Sequence, residues 1–153
     1  MNILFIVGRI AFVLVFILSG AQKLMDISAT AAMIEPKVVI PELVAPYTAQ
    51  LEAATSMKMP NILAIAAGVV EIAAALMIAF GFGVRFAAVI LILFTAATIY
   101  YFHAFWTMEG AARTENMIHA LKNLSLIGGL LVLFVLGPWK PVVVGPYDEA
   151  QRL

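Results

Sequence analysis

Residues 3–24, 61–82, 85–106 and 115–136 form four apolar runs of about 20 residues each, the length an α-helix needs to cross roughly 30 Å of hydrocarbon. A segment surrounded by lipid must satisfy its own backbone hydrogen bonds, and an uninterrupted run of this length does so as a helix. The predicted fold is therefore all-α: an integral-membrane four-helix bundle, with 1–153 as a single membrane domain. Composition agrees, because only 12% of residues are charged and 64% are hydrophobic, whereas a soluble domain carries about 25% charged residues. Lipid is thus the first expected partner. Zero net charge and the lack of a basic tail argue against a nucleic-acid partner. The absence of cysteine excludes disulfides, iron–sulfur ligation and a thiol relay within the chain.

The connections set the topology. Gly81-Phe-Gly-Val-Arg85 is so short that the second and third spans must form an antiparallel hairpin with Arg85 at the membrane surface. The third and fourth are joined around Glu109, Gly110 and Arg113, and Thr114 is the expected N-cap of the last helix. The first loop, 25–60, is long and is broken by prolines at 36, 41, 46 and 60. Within it, Tyr47–Met57 is expected to form a short interfacial helix. A lid over the bundle is one reading of the loop, and a plain connector lying on the membrane is the preferred one. Ile3–Gly20 is read as a retained anchor, since no basic residue precedes it and it exceeds a usual signal core. After Gly137-Pro138-Trp139 a short tail carries Lys140, Asp148, Glu149 and Arg152. Lys23, Lys37, Lys58 and Arg113 on the loop side stand against Arg85, Lys140 and Arg152 on the terminus side, a bias too small to orient the chain.

Glu71 is the most informative polar residue. It lies roughly 15 Å from the loop-side end of its helix at 1.5 Å per residue, where a carboxylate costs about 2.5–3.5 kcal/mol on insertion scales and normally faces a partner or a wet cavity. Lys122 and Asn123 start from the same side and lie roughly 10–12 Å deep, so the expected pair is Glu71 with Lys122. Arg9 starts from the other side, and its side chain leans away from Glu71. It is expected either to join the polar seam or to snorkel to headgroups.

Helical spacing groups Glu115, His119, Lys122, Leu126 and Gly129 on one face of the last helix, and Arg9, Phe12, Phe16, Ser19, Gly20 and Lys23 on the first. Ala64, Gly68, Glu71 and Ala75 form a small-residue stripe on the second, and Ala96, Tyr100 and His103 share a face of the third. Most of these polar groups converge on the loop-side half.

Each has a plainer explanation. Tyr100, Tyr101, Phe102, Phe105 and Trp106 fit an interfacial aromatic belt. His119 in a first turn reads as interfacial, and Lys23 alone reads as a snorkelling anchor. A Glu71–Lys122 pair also serves as a structural tie. That tie is expensive, however, because a membrane hydrogen bond returns only about 0.6 kcal/mol on average. His103 and His119 are expected at similar depth and able to face one another. With no acidic or cysteine ligand at a recognisable spacing, a metal site is not expected and haem is disfavoured. A quinone or other amphipathic ligand fits better, because its carbonyl head needs a donor, a carboxylate to handle protons, and apolar helix walls for the tail.

Several segments together resemble the DoxX family of small four-helix membrane proteins. They are Gly8-Arg9, Phe16-Ile-Leu-Ser-Gly-Ala-Gln-Lys-Leu24, Ala67-Gly-Val-Val-Glu71, Phe80-Gly-Phe-Gly-Val-Arg85, His103-Ala-Phe-Trp106 and Met117-Ile-His-Ala-Leu-Lys-Asn-Leu-Ser-Leu-Ile-Gly-Gly129. The resemblance covers nearly the whole chain and implies a bacterial or archaeal protein of the inner (cytoplasmic) membrane. The family takes its name from a subunit of a thiosulfate:quinone oxidoreductase. The resemblance therefore implies an accessory subunit of a membrane redox complex with a membrane-protein partner. It carries to Arg9, Lys23, Glu71, His103, Trp106, Lys122 and Asn123 as motif positions without assigning a catalytic role. The extended first loop marks a possible departure from the founding complex. A structural subunit without a cofactor and a proton-coupled carrier of a small solute are the alternative functions.

Overall fold

The computed structural model describes residues 3–137, and the tail beyond them, with Lys140, Asp148, Glu149 and Arg152, lies outside the described residues. The described chain is all helical: α1 (Ile3–Met25), α2 (Ile27–Ile34), α3 (Ala45–Thr55), α4 (Met59–Phe80), α5 (Val84–Phe102) and α6 (Gly110–Leu136), with a 3₁₀ turn at Phe105–Thr107. Four of these, α1, α4, α5 with the following turn, and α6, are long and apolar enough to cross a membrane. Their outward residues include Leu14, Leu18, Val69, Leu93, Leu131 and Val135, large apolar side chains that lipid accommodates and water would not.

Chain chemistry accounts for the element ends. Pro60 sits in the first turn of α4, where its missing N–H costs nothing. Gly81 (φ 77°) and Gly83 (φ 57°) both adopt the left-handed conformation, which glycine enters without a Cβ clash. Together they reverse the chain within three residues, so the expected α4–α5 hairpin is present. Two other boundaries differ from the sequence expectation. The last helix begins at Gly110 with Glu109 at the N-cap position, while Thr114 lies inside it and turns its hydroxyl back to the Gly110 carbonyl. The third span leaves the α-helix at Phe102, because His103 (φ −124°, ψ 39°) breaks the repeat before the 3₁₀ turn.

The long loop holds the expected short helix, as α3 at Ala45–Thr55, with no buried residue. It also holds α2, which the sequence reading did not anticipate. The available signal was Asp26, whose carboxylate accepts from the Ala29 N–H as a side-chain N-cap. Thr30, Ala31 and Ile34 on α2 are buried, and the helix packs on α4. The plain-connector reading is therefore corrected over this stretch.

Helix α1 packs along α4, α4 on α5, and α5 on α6. The α1–α4 crossing is close: a Cβ added to Gly20 would lie 2.8 Å from the Gly68 carbonyl oxygen, so backbone meets backbone there. Phe12 of α1 fills the space over Gly129 of α6. Val13, Phe16, Ala74, Ala75, Ile78, Val84, Ala87, Ala88, Leu91, Leu130 and Leu133 make one apolar core, concentrated toward the α4–α5 turn. The loop-side half holds the cavity.

Candidate functional site

In the loop-side half the helices diverge around a cavity of about 820 Å³. Helix α1 supplies Phe16, Ser19 and Lys23, α4 supplies Ala67 and Glu71, and α5 supplies Phe94, Thr95, Thr98, Tyr101 and Phe102. His103 follows, α6 adds Asn123 and Leu126, and Thr30, Met33 and Ile34 of α2 complete the wall. The surface is apolar except for a few convergent polar groups, the composition of a site for an amphipathic small molecule.

The polar centre is a cluster on α1 and α4. Lys23 Nζ lies 2.7 Å from Glu71 Oε2 and donates to Ser19 Oγ at 2.6 Å. Ser19 Oγ donates to the same Glu71 oxygen at 3.4 Å. The Glu71 side chain is 4% exposed and that of Lys23 25%, so the carboxylate is sunk in the bundle while the ammonium faces the cavity. Lys23 Nζ also lies 5.8 Å from the centre of the Phe94 ring, within cation–π range. Among the described residues every hydrogen bond to Glu71 lands on Oε2, so the acceptor capacity of Oε1 is not used by these bonds.

This pairing corrects the sequence expectation. Lys122 is exposed on the outer face of α6 and does not line the cavity, so it is not the partner of Glu71. Its neighbour Asn123 does line the cavity, and one residue on an α-helix is a 100° rotation. On α6, Asn116, Ala120, Asn123, Leu126, Leu130 and Leu133 are buried or half-buried, while Glu115 and His119 are exposed, His119 with one ring face against His103. On α5 the inward residues are Ala88, Leu91 and Thr95, while Ala96 and Tyr100 are exposed. The stripe on α4 is as expected: Ala64, Gly68, Glu71 and Ala75 are all buried.

Lys23 reaches Glu71 because a helical side chain leans toward its own N-terminus. On α1, which ends at the loop side, that direction is into the bundle, where Gly20 sits level with Gly68 and Glu71. Arg9 does not snorkel: it is 2% exposed and donates from Nη2 to the Ala79 carbonyl at 3.0 Å, on the half away from Glu71. Trp106 is half exposed in the 3₁₀ turn and is not part of the cavity wall.

The two histidines do face each other. Their rings stack with centroids 5.0 Å apart and planes 15° from parallel, and His103 alone lines the cavity. The backbone of His103 is tied on both sides, its N–H to the Ile99 carbonyl and its carbonyl to the Phe105 N–H. Among the described residues no three histidine, aspartate or glutamate side chains gather at metal-binding distance. Asp26, at the cavity rim, is held below the usual aspartate range by the Ala29 N–H and the Ser28 hydroxyl.

Comparison with known proteins agrees with the architecture. The sequence model of the family described as DoxX matches residues 4–104. The inner membrane protein YphA of Escherichia coli (strain K12) is 37% identical over 136 residues, which cover 89% of this chain and 84% of that protein. No solved structure matches the chain.

Proposed function

The chain belongs to the DoxX family of integral membrane proteins, and from that premise we propose that it binds the head of a quinone-like amphiphile in its loop-side cavity, as the accessory subunit of a membrane redox complex. It is a multi-pass protein of the inner membrane, as its relative YphA is named. The observation that carries the binding reading is the Lys23–Glu71–Ser19 cluster opening on an apolar cavity of about 820 Å³. A quinone head presents oxygen acceptors that Lys23 can meet with its ammonium hydrogens. The ring suits the Phe16, Phe94 and Phe102 surfaces, and an isoprenoid tail suits the aliphatic walls. Glu71 keeps the ammonium charge compensated in low dielectric. A reversible proton donor and acceptor beside the head would serve the proton changes of quinone reduction, which the electron-carrying partner subunit would drive.

Titration of the purified protein in lipid nanodiscs with a short-chain benzoquinone tests this reading. Saturable binding that is lost in Lys23→Met, with the bundle still folded, is the expected result. Failure of the wild-type protein to bind, together with purification from native membranes without a redox partner, would overturn it. A scaffold without a ligand would show the same folding defects on substitution but no binding at any stage.

A further inference from the structure

Resting on that binding reading, we propose that Asn116 is a positioning residue that fixes the tautomer of His103 and thereby makes the site select a hydroxyl-bearing, reduced head over its carbonyl form. His103 Nδ1 and Asn116 Oδ1 are 3.1 Å apart, and Asn116 Nδ2 donates to the Ala112 carbonyl at 2.9 Å. The second bond sets the direction of the first. Turning the amide over would place Oδ1 against the Ala112 carbonyl oxygen, acceptor against acceptor, and would lose that bond. With Oδ1 toward the imidazole, the ring nitrogen facing it has to carry the hydrogen. Neutral His103 is therefore protonated on Nδ1 and bears its lone pair on Nε2.

Asn116 does not line the cavity and His103 does. The Nδ1 edge is committed to Asn116, one ring face to His119, and the backbone to Ile99 and Phe105. The Nε2 edge is what remains for a ligand. At its polar centre the cavity then offers Glu71 Oε1 and His103 Nε2 as acceptors beside the ammonium of Lys23 as donor, with Gln22, Tyr101 and Asn123 elsewhere on the wall. A carbonyl head can use only the donor. A hydroquinone head accepts from Lys23 and also gives its hydrogens to the acceptors. A net hydrogen bond of about 1 kcal/mol corresponds to roughly fivefold in affinity, the part of the preference for the reduced head that His103 Nε2 contributes beside Glu71 Oε1.

The test uses the full chain in nanodiscs with ¹⁵N-labelled histidine. The chain has two histidines, so His119→Gln identifies the signals of His103. At about pH 9, where imidazole is neutral, the wild-type His103 should show the Nδ1–H form. Asn116→Leu should shift it toward Nε2–H, and Asn116→Asp, which gives up the Ala112 bond but can still turn an acceptor oxygen to the ring, should keep Nδ1–H. Anaerobic titration at the same pH with a short-chain hydroquinone and with its quinone should give the same reduced-over-oxidised affinity ratio in wild type and Asn116→Asp, and a ratio roughly fivefold lower in Asn116→Leu. An Nε2–H tautomer in the wild type, or an unchanged ratio in Asn116→Leu with both molecules bound, overturns the role of Asn116 alone. Binding of neither molecule overturns the underlying binding reading and this selectivity with it.

Discussion

Lys23 and Glu71, 48 residues apart in sequence, meet at 2.7 Å across the α1–α4 crossing. The contact depends on two backbones close enough to bring one turn of α1 level with Glu71. Removing one partner of a buried ion pair leaves an uncompensated charge and costs about 3–5 kcal/mol. Partial exposure of Lys23 places Glu71→Gln and Lys23→Met near the lower end, about 3 kcal/mol each. The double variant should lose clearly less than the sum of the two, because neither charge is left stranded. Lys122→Met, on the outer face, should stay within about 0.5 kcal/mol of the parent. Reversible unfolding in mixed detergent measures all four, and a large loss in Lys122→Met would restore Lys122 as the partner.

Depth along the helices matches Glu71 with Lys122, whereas the lean of a helical side chain toward its own N-terminus carries Lys23 into the bundle. On α6 the polar residues Glu115, His119 and Lys122 share a face by spacing, but the face that packs is Ala120, Leu130 and Leu133. Polar residues in a membrane helix do not mark the inward face by themselves when they lie within reach of an interface. By contrast, the α4 stripe of Ala64, Gly68, Glu71 and Ala75 was legible, because small residues declare a close helix contact whatever their neighbour is. The four spans and the hairpin at Gly81 and Gly83 were legible from length and glycine placement alone. Asn116 gives no signal in the sequence, since its bond to His103 crosses a turn whose geometry only the folded chain defines.

The same close contact predicts an unusual sensitivity at two glycines. A Cβ on Gly68 would lie 2.7 Å from Leu24 Cγ and 2.9 Å from the Gly20 carbonyl oxygen. Alanine normally gains about 1 kcal/mol over glycine inside a helix, but here overpacking should cost about 1–3 kcal/mol. Gly20→Ala and Gly68→Ala are therefore expected to be less stable than the parent. Gly128→Ala, with nothing within 4 Å of the new Cβ, should match or exceed it. Thermal aggregation assays on the three variants compare them directly, and equal stability would mean that the crossing is looser than described.

Asp26 predicts a local acid response. Its carboxylate caps α2, and the Ala29 N–H and Ser28 hydroxyl lower its pKa from the ordinary value of 3.8. A depressed folded value means that the contribution is present above the unfolded value and is lost as pH falls below 3.8 through the folded one. The amides of α2 should therefore exchange faster with solvent as the pH drops through that window, once the intrinsic pH dependence of exchange is divided out. Those of α4 should hold. Asp26→Asn, which keeps a capping oxygen without the titration, should flatten the response. A pH response of α2 unchanged in Asp26→Asn would assign the effect to another group.

Ala67 offers the clearest separation of binding from folding. It lines the cavity on α4, one turn before Glu71 on the same helix, and makes none of the polar contacts that hold the Lys23 cluster. Ala67→Phe would project an aromatic ring into the space of about 820 Å³ without removing a hydrogen bond or a packed core residue. Filling a pocket that has room costs little, in contrast to overpacking a dense core. The variant should keep the parent's unfolding midpoint while affinity for a benzoquinone head falls at least about tenfold, equivalent to 1.4 kcal/mol of lost binding. Parallel measurement of the unfolding midpoint and the Kd decides the matter. Unchanged affinity with unchanged stability would show that the ligand binds elsewhere on the protein.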